Sequence, residues 1–306
     1  MELYLKRQIN ICLFKCYNII GDSMEIIVGR LAGFCGGVTN SVNKTNKLIE
    51  EHGSMFCLGE LVHNKQVVDE LEAKGVTFVE NLSEIPFGNK VIIRAHGIPI
   101  DTYYEAAERN LDVFDLTCPK VLAIHDLAKT LVEDNNFVIL IAQRKHPEAI
   151  GTISFCGDNS MIFESEEDLE ELEYFYKKSG LDKIAIISQT TFSVKKFNGY
   201  CDLIKLKYDN VVIHNTICSA TSKRQEETDE LSKRVDAMII IGGANSSNTK
   251  KLYELAKNNN ENTFIVQTVA ELKDKDFSKY SKVGVMAGAS TPKKSIDEVV
   301  EYLERC

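Results

Sequence analysis

No stretch of this 306-residue chain is apolar for long enough to cross a bilayer. Its apolar runs, such as 137–142 and 237–241, fall far short of the roughly 20 residues needed. Cysteine is too sparse for a disulfide scaffold, at nine in 306, and the odd count leaves at least one thiol unpaired. Basic charge is short as well. Thirty-six Lys and Arg against forty-five Asp and Glu leave a net charge of −9, with no surplus to neutralise nucleic-acid phosphates. There is no tryptophan, and the five prolines form no linker that would mark a domain border. What is present is an ordinary globular composition, 44% apolar and 26% charged, long enough for about two domains. The expectation is a reduced, cytoplasmic α/β protein with no membrane and no nucleic-acid partner.

Residues 1–23 stand apart. Lys6-Arg7 followed by the apolar run 9–14 faintly resembles a signal peptide, but Lys15 interrupts it and no small-residue cleavage site follows. They read as an N-terminal extension, and Cys12 and Cys16 within it read as incidental thiols.

From Met24 onward short apolar strands alternate with amphipathic helices. Ten Val/Ile-rich runs predict strands at 25–28, 55–58, 91–94, 113–116, 137–141, 183–187, 211–214, 237–241, 263–266 and 282–286. They lack strict alternation, as expected of strands buried on both faces of a mainly parallel sheet. Helices are expected at 65–74, 219–234 and 293–304, and strand–helix alternation implies crossover connections.

Three times a cysteine follows a strand and a helix begins at once. The segments are Gly33-Phe34-Cys35-Gly36-Gly37-Val38, Leu116-Thr117-Cys118-Pro119-Lys120-Val121 and Thr216-Ile217-Cys218-Ser219-Ala220-Thr221. The cysteines are 83 and 100 residues apart, with 88 residues from the last to the chain end. This internal repeat predicts three modules, 24–118, 119–218 and 219–306, in a pseudo-threefold arrangement. Ligands of open α/β sheets gather at the carboxyl ends of strands, where the three thiols would converge.

Three thiolates without a fourth partner suit a metal centre with one open coordination position. That could be a zinc site or a four-iron cluster with one free iron. A helix start favours thiolate at each cysteine. A single such cysteine would more simply be an inert buried thiol, and three at equivalent repeat positions reverse that reading. Cys57, Cys156 and Cys201 lack the repeat context and read as structural.

The other strand ends carry polar loops: Gly59-Glu60-Leu61-Val62-His63-Asn64, Ala95-His96-Gly97, His146-Pro147-Glu148, Ser188-Gln189-Thr190-Thr191, Gly242 to Asn248, and Ala287 to Pro292. His, Ser, Asn and backbone N–H groups at helix starts are suited to a phosphate or diphosphate. Each loop alone has a plainer reading, since Ser-Ser-Asn before a helix is ordinarily a cap. No G-x-G-x-x-G occurs, which argues against a dinucleotide cofactor.

With these motifs, including Arg94-Ala95-His96-Gly97, Thr117-Cys118-Pro119, Asn245-Ser246-Ser247-Asn248-Thr249 and Ala287-Gly288-Ala289-Ser290, the chain resembles the LytB/IspH family from about Met24 to Leu303. The resemblance implies 4-hydroxy-3-methylbut-2-enyl diphosphate reduction to isopentenyl and dimethylallyl diphosphate. It also implies a trefoil of three α/β modules around a [4Fe–4S] cluster held by Cys35, Cys118 and Cys218, with the fourth iron open. His63, His96, His146, Ser246, Ser247, Asn248 and Ser290 look like the family's diphosphate-binding set. Glu148 looks like its proton donor, with Thr190 beside the substrate hydroxyl. No flavin or nicotinamide motif is visible, so an external ferredoxin or flavodoxin is implied as electron donor. Two competing expectations are a three-Cys zinc hydrolase or isomerase acting on a phosphorylated substrate, and a non-catalytic binder of phosphorylated ligands.

Overall fold

Continuous Val/Ile runs can be buried only where helices cover both faces of a sheet. The computed structural model describes residues 15–16 and 24–306 and contains three such sheets. The chain opens with β1 (Lys15–Cys16), β2 (Glu25–Val28) and α1 (Gly36–His52). It continues through β3 (Met55–Leu58), α2 (Lys65–Ala73), β4 (Val76–Val79), β5 (Lys90–Ile93), α3 (Ile100–Glu108), β6 (Asp112–Asp115) and α4 (Pro119–Glu133). Next come β7 (Phe137–Ile141), α5 (Pro147–Ile153), β8 (Ser160–Phe163), α6 (Leu169–Ser179), β9 (Ile184–Ser188), α7 (Val194–Lys207), β10 (Val211–Ile213) and α8 (Ser219–Ser232). The last elements are β11 (Ala237–Ile241), α9 (Ser247–Asn259), β12 (Thr263–Val266), β13 (Lys282–Ala287) and α10 (Lys293–Leu303).

One strand order serves all three sheets: β4-β3-β5-β6, β8-β7-β9-β10 and β12-β11-β13-β2. Every pairing within these is parallel. The third sheet gains β1, antiparallel on the outer edge of β2. The rest of the extension, with Cys12, lies outside the described residues. Central strands β7, β9 and β11 are buried at every position, as their unbroken apolar runs require. After β4, β8 and β12 the chain makes the same single turn of 3₁₀ helix. Each is closed by a capping box, Asn81 with Glu84, Ser165 with Asp168, and Thr268 with Glu271.

Two results depart from the sequence reading. Strands β1, β4 and β8 were not among the ten expected. The strand at 25–28, grouped by sequence with residues through 118, completes the third sheet. β2 lies parallel to β13, Glu25 opposite Lys282 and Val28 opposite Val285. A strand's apolar pattern states that it will be buried, not against which partner. The described chain accordingly divides into two compact units. One joins the residues up to Cys35 with Lys223–Cys306 and holds the third sheet; Gly36–Ser222 forms the other and holds the first two.

Each helix that begins beside a repeat cysteine packs on the next sheet. Ile124, Ala128 and Leu131 of α4 bury against Val138 and Leu140 of β7. Leu231 of α8 buries against Met238, Ile240 and Met286. In α1 the hydroxyl of Ser41 donates to the Leu116 carbonyl at 3.1 Å. No helix among the described residues is long and apolar enough to cross a membrane.

Candidate functional site

The repeat cysteines occupy equivalent places. After the last strand of each sheet, the cysteine N–H donates to the carbonyl of the loop beyond the neighbouring strand. Cys118 donates to Ala95, Cys218 to Thr190 and Cys35 to Ala289, each at 3.0 Å. The carbonyl of Cys118 then accepts the N–H groups of Val121 and Leu122 in α4, and that of Cys218 those of Thr221 and Ser222 in α8. None of the three is joined in a disulfide, and all are partly exposed at helix starts. Cys57, Cys156 and Cys201 are buried instead. Desolvation pushes their thiols up to about 12, 12 and 11, so they remain protonated and inert, as their lack of repeat context implied.

In the unit of residues 36–222, the loops after β3, β5 and β7 bring His63, His96 and His146 together, with ligand nitrogens within 4.8 Å of one another. His63 and His96 stack at 4.3 Å between centroids, and His146 stands edge-on to both at 5.6 Å. Burial, and the proximity of the other two histidines and Arg94, holds His96 well below the usual imidazole range. Burial, His63 and Arg94 lower His146 to about 3, so both of these rings are neutral at pH 7. The Nδ1 of His96 is buried without a hydrogen-bond partner, and that of His63 lies 3.3 Å from Glu60. Three histidines could in principle hold a metal ion. Stacked rings, however, send their in-plane lone pairs side by side rather than to one point. Each ring also keeps at least one N–H to donate, and rings side by side can donate to neighbouring oxygens of one anion.

His146 also caps α5: its Nδ1 accepts the N–H of Glu148 at 3.1 Å. This turns the Glu148 side chain inward, where it is only 2% exposed. One carboxyl oxygen accepts the Thr190 N–H at 2.6 Å and the other accepts its hydroxyl at 2.7 Å. Desolvation outweighs these two bonds and raises the group to about 7. A buried carboxyl poised between acid and base at neutral pH is a proton donor in waiting.

The other unit holds Cys35, Ser246, Ser247, Asn248 and Ser290. The Ser246 hydroxyl accepts the Thr249 N–H at 3.2 Å and caps α9. Ser247 Oγ, both amide atoms of Asn248 and Thr249 Oγ1 are buried without hydrogen-bond partners. Polar groups without protein partners clustered at one helix start suit the binding of an anionic ligand. Close approach of the loops builds the spot: a methyl at Gly242 or Gly288 would overlap the Thr249 hydroxyl. Ser290, two residues after Gly288, is buried. Thr249 was not singled out from sequence, although its place two residues after Ser247 in the Ser-Ser-Asn-Thr run was the available signal.

Known proteins resemble this chain in sequence and in fold. The 4-hydroxy-3-methylbut-2-enyl diphosphate reductase of Alkaliphilus oremlandii (strain OhILAs) is 38% identical over 283 residues, 92% of this chain and 99% of that one. The Aquifex aeolicus (strain VF5) protein of the same name is 38% identical over 286 residues, 92% of this chain and 96% of its own. A solved (E)-4-hydroxy-3-methyl-but-2-enyl diphosphate reductase, described as the terminal enzyme of the non-mevalonate pathway, is 37% identical. It matches with a TM-score of 0.67 over 92% of this chain and 99% of that one. The E-1-hydroxy-2-methyl-but-2-enyl-4-diphosphate reductase of Plasmodium falciparum is 26% identical and matches with a TM-score of 0.85 over 92% and 88%. The family model described as LytB protein matches residues 26–304, a span that includes every residue of the candidate site, and the chain belongs to that family.

Proposed function

We propose that this chain reduces (E)-4-hydroxy-3-methylbut-2-enyl diphosphate to isopentenyl and dimethylallyl diphosphate, the last step of non-mevalonate isoprenoid synthesis. The observation that carries the reading is the buried Glu148–Thr190 pair, a carboxyl held near 7 with both oxygens on one threonine. The reductase names of the relatives favour this reading over a zinc hydrolase or isomerase.

Family membership implies an iron–sulfur cofactor in general. We assign it as a [4Fe–4S] cluster on Cys35, Cys118 and Cys218, which leaves one iron open. The donor set fits: three partly exposed thiols outside any disulfide, at equivalent helix starts, against three buried thiols that stay protonated. When bound, the cluster supplies a Lewis acid and the two electrons of the reduction.

The chain's own groups supply binding and protons. The His63–His96–His146 cluster and the α9 start, with Ser246, Ser247, Asn248 and Ser290, would bind the diphosphate. That cradle must act locally, because the net charge of −9 repels anions. Replacing the hydroxyl by hydrogen consumes two electrons and two protons and releases water. Glu148 would give one proton to the departing oxygen, and Thr190 would hold Glu148 against the substrate hydroxyl. Proton delivery to either end of the allylic system gives the two products. The electrons come from an external ferredoxin or flavodoxin, and the compartment is the cytoplasm.

Anaerobic turnover of the hydroxylated diphosphate with dithionite and a viologen mediator tests the reading. Brown protein containing iron and sulfide should release both isomers. Colourless protein holding zinc and inactive in this assay would overturn it.

A further inference from the structure

Cys35 ends a loop that has no strand of its own to hold it, yet the loop is fastened at both ends. Gly29 N–H donates to Val285 O at 2.9 Å and Cys35 N–H to Ala289 O at 3.0 Å. Between them, two side chains of α8 take up the backbone groups that the sheet leaves unpaired. Glu227 accepts the N–H of Arg30 on one carboxylate oxygen at 2.8 Å and that of Leu31 on the other at 2.9 Å. Arg224 donates from Nε to the Leu31 carbonyl at 2.8 Å and from Nη2 to the Gly33 carbonyl at 2.9 Å. Both are buried, 3% exposed for Arg224 and 7% for Glu227, so the loop is gripped by a charged fork on its carbonyls and another on its amides. Hydrogen bonds to buried charged groups are the strong ones, and their loss leaves an unpaired charge behind.

We propose that Arg224 and Glu227 are positioning residues for the thiol of Cys35. α8 begins at Cys218, so Arg224 stands six residues beyond one repeat cysteine and bonds the carbonyl two residues before another. Ser41, six residues beyond Cys35, bonds the Leu116 carbonyl two residues before Cys118. The repeat therefore reuses one device, in which the helix leaving one cysteine steadies the loop that presents another. The Cys35 loop receives its strongest form. Part of this rests on Cys35 being a cluster ligand, and the test separates the two ideas.

The test compares Arg224→Lys, which cannot span two carbonyls with its fork, and Glu227→Gln, which offers an N–H where an acceptor is needed. Leu231→Ala, in the same helix but remote from the loop, is the control. In anaerobic apoprotein, the alkylation rates of Cys35, Cys118 and Cys218 are read separately by mass spectrometry. Cys35 should react about tenfold faster in both fork variants, the expected effect of one lost charge-assisted bond, while Cys118 keeps its wild-type rate. Leu231→Ala should lower Tm without changing the Cys35 ratio. After reconstitution, the fork variants should show an altered electron paramagnetic resonance signature of the reduced cluster. Unchanged Cys35 labelling in both variants, or an equal rise in Leu231→Ala, overturns the proposal. Normal iron content and signature in Cys35→Ser would instead overturn the ligand assignment and leave the labelling result standing.

Discussion

Helices α5 and α9 leave equivalent strands of equivalent sheets, yet their first turns are in opposite states. In α5, capped by His146, the side chain two positions on is Glu148, and both of its oxygens are bonded to Thr190. In α9, capped by Ser246, the corresponding side chain is Asn248, and neither of its polar atoms has a partner. One fold position serves two ends. The α5 start has its hydrogen bonds made within the protein, which suits the proposed acid, whose proton affinity must be set before a substrate arrives. The α9 start has polar groups without protein partners, which suits the proposed binding role, since groups satisfied by the protein would have nothing left to offer a ligand.

The largest effect should come from the finished side of this pair. Glu148→Gln should lower kcat by about 10²–10⁴-fold while substrate still binds, measured by anaerobic turnover and isothermal titration. Near-normal turnover would remove Glu148 from proton transfer. The same variant should alter stability in a pH-dependent way. The folded-state value of about 7 lies above the ordinary 4.5, so folding favours the protonated group. The stability this contributes is full below pH 4.5 and disappears as pH rises to 7. Above pH 7 the wild type holds a buried charge that the amide variant lacks. Glu148→Gln should therefore be more stable than wild type at about pH 8, by up to about 3 kcal/mol, and close to it near pH 4.5. Thermal unfolding of apoprotein at the two pH values measures this, and a gap independent of pH would contradict it.

On the unfinished side, Asn248→Ala should raise KM about tenfold with little change in kcat, the effect of losing bonds made equally in ground and transition states. It should not lower the Tm of the apoprotein, since the Asn248 side chain makes no bond there to lose. A large Tm loss would show the residue to be structural. The smallest change is expected for Thr190→Val, which removes the hydroxyl bond and keeps the N–H bond to Glu148. Its pH–rate profile should move to higher pH by up to about one unit, because the carboxylate form loses a donor.

Much of this arrangement was legible in the chain. Ten strands, the three-cysteine repeat and the loops that carry each site residue follow from apolar runs and from Cys, His and Ser at strand ends. What escaped has a physical explanation. β4 and β8 are four-residue outer strands, too short for an alternation or run to be told from loop by local pattern, although β12 of the same length was read. The capping boxes after β4, β8 and β12 were a repeat in plain view, but one spread over three different residue pairs. The partner of β2 could not be read, because the parallel pairing joins Glu25 to Lys282 and nothing local encodes so long a separation. Arg224 and Glu227 look like solvated charges on a polar helix until the loop they grip is in place.

By itself, the sequence determined the element types, the threefold repetition and which side chains stand at strand ends, since these depend on neighbours within a few positions. Tertiary structure alone decided that the first long strand closes the third sheet, that three histidines from separate loops form one cluster, and that Glu148 titrates near 7. Those are consequences of desolvation and of contact between distant segments, and neither exists until the chain has folded.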